Sequence, residues 1–243
     1  MKILITNDDG INALGLRLLV EWAKKLGEVT VVAPKTEQSA KSHAIELVRS
    51  IEIKKVPYMD GVTAYSLDST PADCVRFGII GLKQQYDLVM SGMNRGINVG
   101  ADMVYSGTLG AAFEAARLGV NAIGFSAFHD GLNEAAKYFD EAYEFLVKNE
   151  LFKENSIYNI NIPKESKGIR MTYEGSQYYS DDFVRVNDGE DMFRQEGKPI
   201  PDVCPEDLDR DTVAIVAGYI TVTPLLAIRT NMDVYRKYRH QNN

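Results

Sequence analysis

Asp8 and Asp9 stand side by side directly after a short β-branched run, Lys2 to Thr6, and only Asn7 separates them from it. Adjacent carboxylates repel, so one carboxyl pKa rises unless a cation sits between them. A hard, oxygen-seeking ion such as Mg²⁺, Mn²⁺ or Ca²⁺ is the economical partner. A plain helix cap uses the same residues with no metal, Asp9 or Asn12 satisfying free N–H groups. A second polar stretch, Lys35 to Ala40, carries the Ser39 hydroxyl, which taken alone reads as a turn residue. His43 fits a proton donor and a packing residue equally, and its spacing decides nothing. A third stretch holds Asn94, whose amide oxygen suits a hard metal, and Arg95, a fork for phosphate. Ser106-Gly107-Thr108 follows where a helix begins, so unpaired N–H groups and the positive dipole end make a phosphate seat there. The same glycines and capping residues also describe an ordinary loop running into a tightly packed helix.

The elements around these residues follow from their patterning. Lys2 to Thr6 and Val29 to Ala33 read as buried strands. Between them Leu14, Leu18, Leu19, Trp22 and Leu26 recur at helical spacing, with Gly27 closing the helix. This is the parallel crossover unit of an α/β fold. Two or three alternating segments are expected around 45–48, 51–56 and 62–67. Thr70-Pro71-Ala72-Asp73 then starts a helix running to about Leu82. Leu88 to Ser91 reads as a strand and Thr108 to Leu118 as a small-residue helix. Residues 121–126 and 133–149 repeat strand then helix, and Tyr158 to Pro163 adds another strand. Residues 174–210 are polar, acidic and aperiodic, and read as a protruding hairpin. Ile220 to Pro224 returns to strand and Met232 to Arg239 to a short helix. The expected architecture is a Rossmann-like, mostly parallel sheet flanked by helices. It forms one domain over residues 1–243, with a core to about 165 and an irregular C-terminal extension from about 166 used in oligomerisation. Asp8, Ser39 and Asn94 then fall at successive strand ends, where open α/β sheets bind ligands.

Composition narrows the chemistry. The chain has 243 residues, 45% hydrophobic and 25% charged, which is ordinary for a globular protein. Area scaling gives roughly 11,000 Å² of folded surface, so a sizeable core forms without disulfides. The net charge of −7 opposes long-range attraction to nucleic-acid polymers or anionic membranes. No apolar run approaches the length of a membrane span and no signal-peptide core forms, and two cysteines, Cys74 and Cys204, make no secreted framework. The cytoplasm is the expected compartment. No Walker-type loop, dinucleotide fingerprint or nucleophile elbow occurs. What remains is a metal-dependent phosphoryl hydrolase.

The combination of Asn7-Asp8-Asp9-Gly10, Ala33-Pro34 with Glu37-Gln38-Ser39, Thr70-Pro71-Ala72-Asp73-Cys74, Ser91-Gly92-Met93-Asn94 and Ser106 to Ala112 resembles the SurE family, the survival-protein 5′/3′-nucleotidases. Residues 159–163 and 221–225 are similar to later family segments. The resemblance implies a cytoplasmic phosphatase using one Mg²⁺ or Mn²⁺ per subunit to release phosphate from nucleoside 5′-monophosphates, with 3′-monophosphates as further substrates. It also implies a homodimer or homotetramer assembled through exchanged C-terminal elements. Carried over, the metal ligands are Asp8, Asp9, Ser39 and Asn94, and Ser106, Gly107 and Thr108 hold the phosphate. Three departures stand out: Ala40 and Ser69 where glycine is usual, and Glu46 where threonine is frequent. The implied reaction is in-line attack of a water made acidic by the ion, with Asp8 or Asp9 assisting deprotonation and the helix start taking up charge. The alternatives carried forward are a non-catalytic nucleotide sensor and polyphosphate cleavage as the main activity. A phosphorylated receiver module is a further rival, but such a module needs an accepting aspartate at a third strand end, and this sequence has no obvious one. A haloacid-dehalogenase-type phosphatase would need D-x-D instead of adjacent aspartates.

Overall fold

Every side chain of Ile3-Leu4-Ile5 is buried, yet they bury on opposite sides: Ile3 and Ile5 join one apolar cluster and Leu4 another. Val29, Val31 and Ala33 alternate with Val32 in the same way, and Leu88 and Met90 with Val89. Strands covered on both faces give near-continuous apolar runs, as seen in the sequence.

The computed structural model describes residues 1–186 and 191–239; residues 187–190 of the expected excursion and the last four of the expected C-terminal extension lie outside the described residues. The strands are β1 (Lys2–Thr6), β2 (Glu28–Pro34), β3 (Ile53–Val56), β4 (Thr63–Leu67), β5 (Leu88–Arg95), β6 (Ala122–Ala127), β7 (Ile157–Ile162), β8 (Ile169–Met171), β9 (Asp182–Arg185), β10 (Phe193–Glu196) and β11 (Ile220–Leu225). Nine form one sheet in the order β3-β4-β2-β1-β5-β6-β7-β11-β8. The run from β4 to β7 is parallel, and β3 and β11 are antiparallel to their inner neighbours. β9 and β10 pair separately as an antiparallel hairpin inside the polar excursion. The sheet also takes in β8 and β11, both beyond residue 165.

The helices are α1 (Leu14–Ala23), α2 (Pro71–Arg76), α3 (Gly107–Arg117), α4 (Leu132–Ala135), α5 (Phe139–Lys148), α6 (Asp211–Val216) and α7 (Met232–Tyr238). α1 and α5 bury Leu16, Leu19, Trp22, Phe139 and Leu146 in the cluster on one face of the sheet. α2 and α3 put Cys74, Val75, Ala111, Ala112 and Ala115 on the other. None of the helices among the described residues is long and apolar enough to cross a membrane.

Several local expectations shift. The buried face of α1 is Gly15, Leu16, Leu19, Val20, Trp22 and Ala23, whereas Leu14 is 47% exposed. The apolar stripe spans more positions than the core uses, and its edge faces out. Residues 45–48 form no strand, and Leu47 and Val48 point to solvent, because Glu46 folds the segment by accepting from the Val48 and Arg49 N–H groups. β5 runs on to Arg95 through a bulge between Ser91 and Asn94, so part of the expected glycine-rich loop is strand. The helix expected over 133–149 breaks into α4, a tight 3₁₀ turn and α5. Thr70 caps α2 as expected, its hydroxyl accepting from Asp73 N–H at 3.1 Å.

Candidate active site

β1 has β2 on one side and β5 on the other, so chain connections leave in opposite directions on either side of it. The crevice at such a switch point, beyond the carboxyl ends of the strands, is where open α/β sheets bind ligands. Asp8 and Asp9 leave β1 there, the Ser39 loop leaves β2, and Asn94 and Arg95 end β5. α3 begins against the same place. A Cβ on Gly107 would sit 2.9 Å from Asp8 Cβ and 3.1 Å from its Oδ2, so only glycine lets the first turn of α3 come this close.

Asp8 is buried, and the Thr108 hydroxyl donates to its Oδ1 at 2.6 Å. Burial lifts its pKa to about 6, the Thr108 bond opposes the rise, and the neighbouring Asp9 charge adds to it. Asp9 Oδ2 accepts from the Arg95 backbone N–H at 2.9 Å, and burial again raises the carboxyl. Among the described residues no Lys, Arg or His side chain forms an ion pair with either carboxylate. Two adjacent, desolvated acids with no ion pair, Asp9 feeling no cation but Arg95 and that from beyond pairing distance, are a donor set that a hard divalent cation completes.

The remaining candidates are disposed around this pair. Ser39 is exposed, and its hydroxyl donates to Glu37 Oε1 at 2.6 Å, which leaves its oxygen lone pairs open. Asn94 gives its Nδ2 to Gly96 O at 2.8 Å, so its amide orientation is fixed with Oδ1 left as an acceptor. Arg95 is exposed and its Nε reaches His129 O at 3.4 Å. Ser106 caps α3 by accepting from Leu109 N–H at 3.1 Å. The Thr108 hydroxyl is spent on Asp8, and the first N–H groups of α3 have no partner within the helix itself. Among the described residues no three His, Cys, Asp or Glu side chains gather as a metal cage, so hydroxyl and amide oxygens would complete any ion's shell.

Ala40 adopts φ +57°, the left-handed region where glycine is at home, and Ser69 donates to Asp73 Oδ2 at 2.6 Å in a buried contact. These two departures therefore sit at special backbone and packing positions.

Some residues of the site region carry no local sequence signal. Asp211, fully buried, accepts from the N–H groups of Gly100, Gly175 and Thr212, and Asp102 accepts from Tyr178 and Tyr179. Together they staple the loop between Asn94 and Ser106 to the C-terminal excursion. Burial raises the Asp211 carboxyl to about 6 despite its three backbone donors. Glu114, also buried, collects Arg76 at 2.8 Å, Arg117 at 3.0 Å and His43 Nε2 at 2.8 Å. Burial alone would lift its carboxyl, but the bonds from Arg117, Arg76 and His43 outweigh it and hold the pKa below the usual glutamate value. The only sequence hint was an acid in an otherwise small-residue helix.

Fold and site together define an open-sheet α/β protein with an acidic, oxygen-rich ligand site at its switch point. The family described as Survival protein SurE matches residues 3–181. A 5′-nucleotidase SurE from Thermoanaerobacter sp. (strain X514) is 40% identical over 234 residues, covering 93% of this chain and 92% of the relative. One of the same name from Thermosipho melanesiensis is 39% identical over 248 residues, covering 98% and 96%. The crystal structure of the SurE protein from Aquifex aeolicus is similar over the full length of both chains, with a TM-score of 0.83 and 32% identity. The chain belongs to the SurE family.

Proposed function

We propose that this chain is a divalent-metal-dependent phosphomonoesterase that hydrolyses nucleoside 5′-monophosphates to nucleoside and phosphate. The observation that carries the reading is the Asp8–Asp9 pair: adjacent, desolvated, without a side-chain ion pair among the described residues, and set against the start of α3. The relatives' shared name, 5′-nucleotidase SurE, supports the substrate class.

In this reading Asp8, Asp9, Ser39 and Asn94 hold one Mg²⁺ or Mn²⁺, whose contribution when bound is to draw charge from a phosphoryl oxygen. Ser106, Gly107 and Thr108 present the start of α3 to the phosphate, where free N–H groups and the helix dipole take up the charge that grows on the equatorial oxygens. Arg95 stands at the mouth to meet the incoming anion. Thr108 orients Asp8, and Arg95 N–H orients Asp9. One of these two aspartates accepts the proton of the attacking water, and the departing nucleoside oxygen takes up a proton from solvent as its bond to phosphorus breaks.

Residues 1–243 serve as one functional unit, and α7 supports its self-association, because it buries no residue and exposes Val234, Tyr235 and Tyr238. Two unpaired cysteines, Cys74 and Cys204, support a reducing compartment, the cytoplasm.

The test is phosphate release from a panel of 5′- and 3′-nucleoside monophosphates by metal-stripped protein, with Mg²⁺ or Mn²⁺ restored. Metal-restored release, greatest on 5′-monophosphates, is expected. Tight nucleotide binding with no phosphate released would replace the enzyme by a nucleotide sensor.

A further inference from the structure

A cavity of about 990 Å³ opens beside the start of α3, and none of Asp8, Asp9, Ser39 or Asn94 lines it. It is at the top of the size range of small-molecule sites. Its floor is a single helical stripe: Ser106, Gly110, Phe113 and Arg117 recur at i, i+4, i+7 and i+11, one face of α3. At about 1.5 Å per residue the stripe is roughly 16 Å long. It begins at the residue that caps the proposed phosphate seat.

We propose that this groove seats the nucleoside leaving group, with the base met by Arg229 of its lining. The inference rests on the phosphomonoesterase reading and places the rest of the substrate. An ester bound by its phosphate at the start of α3 must send its alcohol portion away from the carboxylates, and the groove is continuous with that point. The lining matches such a ligand, with flat or apolar surfaces from Phe113, Tyr173 and Met103 beside polar groups such as Thr172, Glu174 and Thr223. The segment 42–43 is fixed along one edge, Ser42 donating to Val104 O at 2.7 Å and His43 bonding Glu114. Within the lining Arg117 is committed to Glu114, whereas Arg229 is exposed and forms no hydrogen bond or ion pair among the described residues. An uncommitted guanidinium in a groove that also offers aromatic and apolar surface is suited to the carbonyl and ring-nitrogen acceptors of a base.

Adenosine, which carries no phosphate, is the direct probe. Calorimetry should show it binding the intact protein, and binding at least tenfold weaker in Ala227→Trp, which fills the groove from an exposed position, and in Arg229→Glu. In steady-state assays the ratio of kcat/KM for AMP to that for phenyl phosphate should fall at least tenfold in both variants. Equal adenosine affinity in all three proteins would overturn the proposal. So would a change of oligomeric state in Ala227→Trp with adenosine affinity unchanged, which would give the groove to a second copy of the chain. Failure of the phosphomonoesterase reading looks different: neither ester is hydrolysed while adenosine still binds and still responds to Ala227→Trp.

Discussion

Asp8 and Asp9 share a backbone but not an environment. Asp8 is sealed beneath α3 and steadied by the Thr108 hydroxyl, whereas Asp9 is only partly buried and is held by a backbone N–H. Replacing Asp9 by Asn keeps its size and removes the charge. We expect at least a hundredfold loss of metal-supported phosphate release. The far-ultraviolet circular dichroism and the urea midpoint should stay close to those of the parent, since Asp9 makes no core contact. Residues of this kind were legible in the sequence because their signals are local: adjacent acids after a strand, a serine at a helix start, an amide at the next strand end. Glu114 and Asp211 were not, because their partners lie far away in the chain, His43 and Arg76 for one, Gly100 and Gly175 for the other. Locally only the acid in a small-residue helix, with Arg117 three residues on, hints at the Glu114 network.

At the scale of elements, α3 does three tasks. Gly107 and Thr108 abut Asp8, Ala111, Ala112 and Ala115 pack on the sheet, and Glu114 ties the helix to α2 and the loop at His43. Glu114→Gln preserves the shape but leaves Arg76 and Arg117 without a counter-charge, and should lower unfolding stability by about 2–3 kcal/mol in urea titrations. The opposite face depends on a close approach. A Cβ on Gly15 would lie 1.9 Å from Met93 O, so α1 rests directly on the bulge that leads to Asn94. Gly15→Ala should therefore cost about 1–3 kcal/mol and weaken metal binding as well, because the displaced strand end carries a proposed ligand. Most strands and helices were visible from periodicity, and the capped start of α2 from its composition. The missed pieces, β8 and α6, are three and six residues long, too short for any period to show. The extension of β5 was hidden by glycines that read as loop. The segment 45–48 was misread because side-chain capping by Glu46 overrode its β propensity.

The whole molecule exposes 13,192 Å², against roughly 11,000 Å² expected for a compact chain of this mass. Among the described residues the least covered parts include the β9–β10 hairpin, with Phe183 and Phe193 exposed, and α7, with no buried residue. On the proposal that α7 supports self-association, removing it should leave a monomer in light scattering where the full chain is larger, with the sheet intact. The excursion is tethered by Asp202, which ion-pairs with Arg210 at 2.8 Å and accepts from Ser176 and Cys204 N–H groups. Burial would raise its carboxyl, but the bonds from Thr212, Cys204 and Ser176 win and hold it well below the ordinary range. A depressed carboxylate stabilises the fold above its unfolded pKa of about 3.9, and that contribution fades as pH falls below it. Amide hydrogen exchange in residues 176–186 and 191–210 should therefore accelerate, relative to β1 and β5, as the pH is lowered from about 4 toward 2. The order of the sheet also bears on how the chain is made. β11 enters beside β7, so the edge of β7 stays unpaired until the chain has been synthesised past Leu225. At about 5–20 residues per second, the stretch from Ile162 to Leu225 occupies the ribosome for roughly 3–13 s. During those seconds the nascent chain presents an open strand edge, and any factor that shields such edges at the ribosome exit would meet this protein before it can close its own sheet.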